Sequence, residues 1–303
     1  MVLELLLGVF FLYIGAYLLV YGAASTALYF GVSKLIVALT VVAYATSAPE
    51  ALVTLLAAFQ EKPQLCLGNV VGSNICNTLA ILGISALISP CRLDRKLMRY
   101  DIPVCATASL LLLGAFLFFE DISYGEGVFF LICSLLYTLL AVYRAKEESL
   151  EYEKKPIVKS VLAVVGGGIL LYFGAESFLS SSIAIARVCG VGEATIGLTL
   201  VAAGTSFPEL ATTLVAAYKG EHEISLGNII GSNIFNIFLV LGLGAIVQPI
   251  VLYGEGVSLF DVGVMVFSLV LVVTFREIDR WKGGVLLLCY VAYLFLKLFH
   301  NIV

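Results

Sequence analysis

The stretch TVVAYATSAPE at residues 40–50 recurs as TLVAAGTSFPE at residues 199–209, and each copy places Pro and Glu side by side inside an apolar run. A second pair of stretches, LGNVVGSNICN at residues 67–77 and LGNIIGSNIFN at residues 226–236, follows at the same offset of 159 residues. The chain is therefore an internal duplication, and its two copies share polar motifs as well as hydropathy.

Composition indicates the class of protein, since 61% of the 303 residues are hydrophobic, 13% are charged and the mean hydropathy is +1.07. We expect an all-α integral membrane protein with about ten transmembrane helices. The first run contains Glu4 where a signal peptide would be basic, so we expect it to be a retained helix. The expected spans are approximately 2–24, 34–60, 65–90, 101–119, 124–143, 157–184, 193–218, 223–249, 257–275 and 283–300.

An odd number of spans in each copy predicts that the second copy enters the membrane from the opposite side, which gives two inverted-topology five-helix repeats. With these spans, 14 of the 17 lysines and arginines fall on one face, which the positive-inside rule identifies as cytoplasmic. We therefore expect a first repeat at residues 1–143, a charged cytoplasmic linker at 144–156 and a second repeat at 157–303. Both termini are expected outside.

Each copy collects oxygen ligands around a predicted helix break. A proline inside a helix frees a backbone carbonyl, which at membrane depth needs a partner from protein, water or a ligand. Thr46 and Ser47 precede Glu50 by four and three residues, so their hydroxyls lie on its helix face. Ser73 and Asn77, one turn apart, add a hydroxyl and an amide. The counterparts in the second copy are Thr205, Ser206, Glu209, Ser232 and Asn236.

Carboxylate, hydroxyl, amide and carbonyl oxygens together favour a hard cation such as Ca²⁺ or Na⁺. Two glutamates balance one Ca²⁺ or two Na⁺, and because they repel each other in an empty site, protons are expected to compete at low pH. Gly68 and Gly72, like Gly227 and Gly231, have the spacing that lets two helices approach closely, so we expect the amide helix to contact the broken one.

The other polar residues suggest no further site. The seven cysteines are scattered singly and are interpreted as apolar fillers. Glu176 breaks the symmetry of the duplication, because its register partner is Tyr17. The two histidines form no catalytic set, and no basic stripe suggests nucleic acid, so we expect neither an enzyme nor a nucleic-acid partner.

The motif pair ATSAPE and GTSFPE, each followed by GNxxGSNIxN, resembles the paired alpha repeats of the sodium/calcium exchanger family in the cation/calcium antiporter superfamily, and the short linker resembles its prokaryotic members. The resemblance implies four cation sites in a diamond at the midplane, lined by the second, third, seventh and eighth helices, with the first and sixth helices sliding as a gate. The ligands it implies are Glu50, Glu209, Thr46, Ser47, Thr205, Ser206, Ser73, Asn77, Ser232, Asn236 and the carbonyls of Ala43 and Ala202.

Two departures from the family pattern stand out. Asn236 occupies a position where family members often have aspartate, which puts a stoichiometry of three Na⁺ per Ca²⁺ in question. Tyr44 and Ala45 stand where the second copy has Ala and Gly, so Ala45 narrows the approach to the backbone and Tyr44 is a candidate for sealing one side.

The function that we expect is secondary antiport of Na⁺ and Ca²⁺ across a plasma or inner membrane by alternating access, by a monomer without a cofactor. The alternative within transport is a proton-coupled exchanger of Ca²⁺ or another cation, which the missing third carboxylate favours. A passive cation channel, and a purely structural or receptor role, are the hypotheses from other classes.

Overall fold

The computed structural model describes residues 2–147, 157–189, 204–253 and 256–300. Their helices, in chain order, are α1 (Val2–Phe30), α2 (Lys34–Thr46), α3 (Ala48–Phe59), α4 (Pro63–Ile88), α5 (Leu97–Phe118), α6 (Tyr124–Glu147), α7 (Ile157–Val188), α8 (Phe207–Tyr218), α9 (His222–Val247), α10 (Leu259–Phe275) and α11 (Arg280–His300).

Among the described residues, six helices are long and apolar enough to cross a membrane, and a seventh span results if α2 and α3 count as one bent helix. Helix α10 is apolar but has 17 residues. The expectation of a helical membrane protein is thus confirmed, whereas ten spans remain a prediction. The seventh expected span, 193–218, lies partly outside the described residues, as does most of the expected linker.

The helix break predicted at Pro49 is present. Helix α2 ends at Thr46, α3 begins at Ala48, and the two axes differ in direction by 43°. Pro49 lies in the first turn of α3, where a missing N–H costs little because that turn has no intrahelical acceptor for it. Glu50 follows in the same first turn, and the positive end of the helix dipole favours its carboxylate.

Helices α1 and α7 form a closely packed pair. A Cβ atom added at Gly8, Gly15 or Gly22 of α1 would lie 2.6–2.9 Å from atoms of α7, most of them backbone atoms. Gly167 and Gly174 of α7 have the same relation to the backbone of α1. These glycines recur every seven residues, so they form one stripe along each helix, and the two backbones touch along these stripes.

Two short antiparallel ribbons join the first half of the chain to the second. Strand β1 (Cys91–Arg92) pairs with β4 (Glu277–Ile278), and β2 (Asp121–Ile122) pairs with β3 (Ile250–Val251). By sequence offset, β3 is the counterpart of β1. Each ribbon therefore combines one strand from each half, and the two pairings repeat each other.

The main apolar core lies between α4 and α9 and the helices around them, and the largest of its fully buried side chains is Phe235. All seven cysteines are free thiols, and Cys66, Cys76, Cys91 and Cys105 are buried. The interpretation of these four as apolar fillers agrees with their burial. π-helical turns at Cys76–Ile81 and Asn236–Leu241 interrupt α4 and α9 where each helix carries a site asparagine.

Candidate cation site

Glu50 and Glu209 lie at the start of α3 and α8, and both side chains are fully buried. The hydroxyl of Ser206 donates to Oε1 of Glu50 over 3.2 Å, and the hydroxyl of Ser47 donates to Oε1 of Glu209 over 3.2 Å. Each serine thus donates to the carboxylate of the opposite half and not to the glutamate three residues after it in the sequence. The two duplicated motifs form one shared site.

The amide-bearing helices supply a second hydroxyl to each carboxylate. Ser73 of α4 donates to Oε1 of Glu50 over 3.5 Å, and Ser232 of α9 donates to Oε1 of Glu209 over 3.4 Å. Both serines are fully buried. The Oε1 atoms are therefore held by protein hydroxyls on both sides, whereas the Oε2 atoms are not.

Asn69 is a residue of this site that the sequence reasoning missed. Its Nδ2 donates to the backbone carbonyl of Glu50 and to the hydroxyl of Thr54, each over 2.9 Å. Its Oδ1 accepts a hydrogen bond from Thr205 over 3.1 Å. Asn69 therefore fixes the backbone of the glutamate and one of the predicted hydroxyl ligands at the same time.

Asn228 makes the same contacts in the other half. It donates to the carbonyl of Glu209 over 3.4 Å and to the hydroxyl of Thr213 over 3.0 Å, and it accepts from Thr46 over 2.9 Å. The signal that could have identified both asparagines is their identity at the offset of 159, inside the LGN of both copies. A single Asn in a membrane helix is commonly a contact between helices, and the sequence alone gave no reason to treat this one differently.

The amide groups of Asn77 and Asn236 are oriented by two further asparagines. Nδ2 of Asn77 donates to Oδ1 of Asn233 over 3.1 Å, and Nδ2 of Asn236 donates to Oδ1 of Asn74 over 3.0 Å. Both donors point to protein acceptors, so the Oδ1 atoms of Asn77 and Asn236 remain for another partner.

Four buried oxygens of the site have no hydrogen-bond partner among the described residues. They are Oε2 of Glu50, Oε2 of Glu209, Oδ1 of Asn77 and Oδ1 of Asn236. A buried polar atom without a partner costs about 1–3 kcal/mol, and more when it carries charge. These atoms form two register-related pairs, two carboxylate oxygens and two amide oxygens, which is the oxygen set that a hard cation requires.

The remaining predicted ligands have other partners or lie elsewhere. The hydroxyl of Thr46 is engaged by Asn228, and Thr205 by Asn69. The carbonyl of Ala43 accepts from the N–H of Ser47 over 2.9 Å and lies 3.3 Å from the hydroxyl oxygen of Thr46. Ala202 lies outside the described residues. Within the described ranges, no group of three or more His, Cys, Asp or Glu residues is placed to hold a metal ion.

Two glycine pairs, one on α4 and one on α9, flank the site. A Cβ added at Gly231 would lie 2.8 Å from both Cβ of Ala43 and the carbonyl of Leu39, so α9 packs closely against α2. The expected contact between an amide helix and a broken helix is thus present between α9 and α2, which belong to opposite halves of the chain. Gly68 and Gly72 line a cavity of about 330 Å³, to which Asn69 and Thr205 also contribute. The segment that corresponds to α2 by register, residues 193–205, lies mostly outside the described residues.

Polar contacts hold the start of α2 beside α9. Nζ of Lys34 lies 2.8 and 2.7 Å from the two carboxylate oxygens of Glu221. The backbone N–H of Leu35 donates to the carboxylate of Glu223 over 3.0 Å, which satisfies one of the free donors at that helix end. Together with the packing at Gly231, these contacts close this flank of the site.

Tyr44 lies on the same flank. Its ring is tilted by 33° against that of Phe235, with the centroids 3.9 Å apart, and its hydroxyl is 2.9 Å from the hydroxyl of Thr138. Since Thr138 itself donates to the carbonyl of Ser134, Tyr44 is the donor in this pair.

Long apolar helices around a buried pair of carboxylates, with hydroxyl and amide oxygens beside them, define a multi-pass helical membrane protein with a candidate cation site. A family model described as sodium/calcium exchanger protein matches residues 1–143 and 159–299. The chain belongs to the sodium/calcium exchanger family.

Individual relatives agree with this assignment. The chain is 35% identical to the putative antiporter CaxA of Alkalimonas amylolytica, over 91% of this chain and 92% of that protein. It is 33% identical to the sodium/calcium exchanger MaX1 of Methanosarcina acetivorans, over 96% and 97%. The fold matches a solved structure of the sodium-calcium exchanger NCX_Mj soaked with Na⁺ and Sr²⁺, with a TM-score of 0.86, 33% identity and 96% of each chain covered. Family members are transporters, which supports the expectation that the chain is not an enzyme.

Proposed function

We propose that the chain is a secondary antiporter that exchanges Na⁺ for Ca²⁺ at the site between Glu50 and Glu209. The observation that carries the proposal is the set of four buried oxygens without a protein partner, two from these carboxylates and two from Asn77 and Asn236. A bound cation satisfies all four. Because the same oxygens suit Ca²⁺ and Na⁺, each ion displaces the other, and exchange follows from competition.

The charge of the site supports the choice of ions. Two fully buried carboxylates without a counter-ion are costly in a membrane interior, and one Ca²⁺ or two Na⁺ neutralises them. The relatives named as sodium/calcium exchangers support the same pair of ions. The further ligands that we propose are Thr46, Ser47, Thr205, Ser206, Ser73, Ser232 and the carbonyls of Ala43 and Ala202.

We propose alternating access through two inverted repeats. Its support is the register-related contacts on Glu50 and Glu209, which give the two halves equivalent positions at the site. The backbone contact between α1 and α7 supports the sliding gate, because glycine stripes present few side-chain obstacles to movement along the helix axis.

The orientation and organisation of the chain are part of the same proposal. Residues 1–143 and 157–303 form the two five-helix repeats, and the linker 144–156 is cytoplasmic, with both termini outside. The protein is a monomer in the plasma or inner membrane. The excess of Lys and Arg on the linker face supports this orientation.

Transport by purified protein in liposomes tests the proposal. Vesicles loaded with Na⁺ and diluted into Na⁺-free buffer are expected to take up radiolabelled Ca²⁺. Glu50→Gln and Glu209→Gln each remove one charge from the site, so each should lower the uptake rate by about a hundredfold or more. Glu176→Gln is the matched control, since Glu176 is an exposed acid of α7, and it should leave uptake unchanged. Full uptake by either site variant would contradict the proposal.

Proton coupling is the second candidate function, and the amide at Asn236 favours it, because a site with only two carboxylates can be neutralised by two protons. A pH gradient imposed on the same vesicles without Na⁺ separates the two. Calcium uptake that is driven by protons and unaffected by removal of Na⁺ would replace the sodium-coupled function with this one.

A further inference from the structure

A three-residue turn, residues 219–221, joins α8 to α9, the two helices of the second half that contribute ligands to the candidate cation site. Its central residue, Gly220, has a φ of +73°, which glycine adopts without strain. The N–H of Gly220 donates to the carbonyl of Ala217 over 3.0 Å. The N–H of Glu221 donates to the carbonyl of Ala216 over 2.8 Å. This is the pattern of a Schellman motif, so the turn is rigidly connected to the end of α8.

The last residue of the turn holds the start of α2. Nζ of Lys34 lies 2.8 and 2.7 Å from the two carboxylate oxygens of Glu221. Two residues further on, the carboxylate of Glu223 accepts from the backbone N–H of Leu35, at the positive end of the α2 dipole. The first turn of α2 is therefore held through one side-chain charge and through one backbone donor.

The first residue of the turn holds α1. Nζ of Lys219 lies 3.3 Å from the centroid of the Tyr17 ring, so the ammonium group is attracted by the electrons of the ring face. On its other side, α1 contacts α7 along glycine stripes that present few obstacles to movement along the helix axis. The contact between Lys219 and Tyr17 is specific to one position of α1 and therefore opposes such movement.

Apolar packing brings α1, α2 and the residues around the turn into one cluster. Ala216 before the turn and Ile224 after it are fully buried, and they belong to the same cluster as Val20 of α1 and Ala38 of α2. Apolar attraction has no preferred direction, whereas an ion pair and a cation–π contact each require one geometry. The polar contacts of the turn therefore select one arrangement of α1 and α2 on this surface.

The turn at residues 60–62, at the register of this one, has the same backbone hydrogen bonds and a positive φ at its central residue. Its first and last residues are Gln60 and Lys62, where residues 219–221 have Lys and Glu. Lys62 is exposed and donates over 2.9 Å to Oε1 of Gln60 in the same turn. The backbone of the turn is thus duplicated, whereas the side chains that hold α1 and α2 belong to one copy.

We propose that the turn at residues 219–221 is a latch that keeps the flank formed by α2 and α9 closed, by holding α1 and α2 at the same time. Movement of α2 away from α9 separates Lys34 from Glu221, and sliding of α1 separates Tyr17 from Lys219. Opening of this flank breaks both contacts, so the latch makes that opening the slow step of transport. The inference rests on the alternating access proposed above.

Hydrogen–deuterium exchange of the purified full-length chain in detergent tests the hold on α2. Lys34→Glu removes the ion pair and places a third carboxylate beside Glu221 and Glu223, so the amides at the start of α2 should exchange about fivefold to tenfold faster. Lys34→Glu combined with Glu221→Lys restores the pair with its charges exchanged, and exchange should return to within about threefold of the parent. The matched control is Lys62→Glu in the register-related turn, which should change exchange in α2 less than about twofold.

Calcium uptake by Na⁺-loaded vesicles tests the effect on access. Lys34→Glu and Tyr17→Leu each weaken the latch, so each should raise the uptake rate about twofold to fivefold, whereas Tyr17→Phe keeps the ring beside Lys219 and should leave the rate unchanged.

Three results would overturn the latch: unchanged exchange in Lys34→Glu, no recovery in the variant with exchanged charges, or faster exchange in α2 without a higher uptake rate. A parent protein without Na⁺-driven uptake would instead contradict the proposed function. In that case the exchange measurement would still decide whether Glu221 holds α2.

Discussion

Around the two carboxylates, the halves of the chain are alike: Ser206 donates to Glu50 and Ser47 donates to Glu209, in both cases over 3.2 Å. Beside them the halves differ, because Tyr44 packs on Phe235, whereas the residues at the register of these two in the other half are Ala203 and Cys76. A site with equivalent ligands on both sides can be reached from either one. We infer that access to it is determined by the helices that cover it, and not by its ligands.

The largest effect is expected from adding one methyl group to the packed glycine face. Gly231→Ala would bring a Cβ to 2.8 Å from the carbonyl of Leu39, a backbone atom that cannot move without its helix, so the variant should lose about 1–3 kcal/mol of stability. Gly114→Ala is the control, because Gly114 lies within helix α5 and a Cβ there meets no atom of the described residues within 4 Å. The free energy of unfolding of this control should lie within about 0.5 kcal/mol of that of the parent. Thermal unfolding in detergent compares the two variants, and equal destabilisation would show that the close approach of α9 to α2 is not the cause of the loss at Gly231.

The second-largest effect is expected at the two asparagines that hold the glutamate backbones, whose substitution should cost different amounts of stability. Asn228 is fully buried. Asn228→Ala removes the donor to the carbonyl of Glu209 and leaves the other partners of Asn228 unpaired, so it should lower the free energy of unfolding by about 2 kcal/mol. Asn69 is half-buried and lines the cavity, where water can replace its amide, so Asn69→Ala should cost about 1 kcal/mol. Thermal unfolding in detergent measures the loss for each of the two variants. A larger loss for Asn69→Ala would show that burial of the amide does not determine the cost of removing it.

A charge added at the unpartnered amide oxygen of Asn77 or of Asn236 tests whether these two ligands are equivalent. Asn236→Asp and Asn77→Asp each place a third carboxylate in the site, so each should tighten Ca²⁺ binding by about tenfold and change the charge moved per transport cycle. Calcium titration calorimetry and transport currents measure the two effects.

Asn74→Asp is the control for these substitutions, because Oδ1 of Asn74 already accepts from Asn236 and offers no free oxygen in this arrangement. It should bind Ca²⁺ no more tightly than the parent. If Asn236→Asp also leaves affinity, sodium dependence and current unchanged, then Asn236 is not a ligand.

The duplication made much of the site predictable from the sequence. Proline and glutamate side by side are costly in a membrane helix, and their repetition at one offset indicated a purpose, so the helix break and the two carboxylates could be located in advance. The hydrogen-bond partners of those carboxylates could not be predicted in this way. The spacing of Ser47 and Glu50 suggests contact within one helix, but the break turns the serine towards the opposite half, and only the packing of the halves reveals this.

The contacts that close the flank formed by α2 and α9 could not be predicted from the sequence either, because they also depend on how the two halves pack. Lys34 and Glu221 are 187 residues apart, and a single Lys or Glu at a span end is normally solvated. Sequence periodicity determines which residues share a helix face, whereas these contacts depend on which helices become neighbours.

The smallest effect is expected at Tyr44, where the two halves have different side chains. Tyr44 packs on Phe235, and the residue at the register of Phe235 in the first half is Cys76, so this aromatic pair has no counterpart. Tyr44→Phe keeps the ring contact and removes the hydrogen bond to Thr138, at a cost of about 1 kcal/mol or less, with Ca²⁺ affinity unchanged. Thr138→Val should cost a similar amount and the double variant no more than about the larger of the two, because both remove the same bond. Additive losses in unfolding would show that Tyr44 stabilises this flank through a different contact.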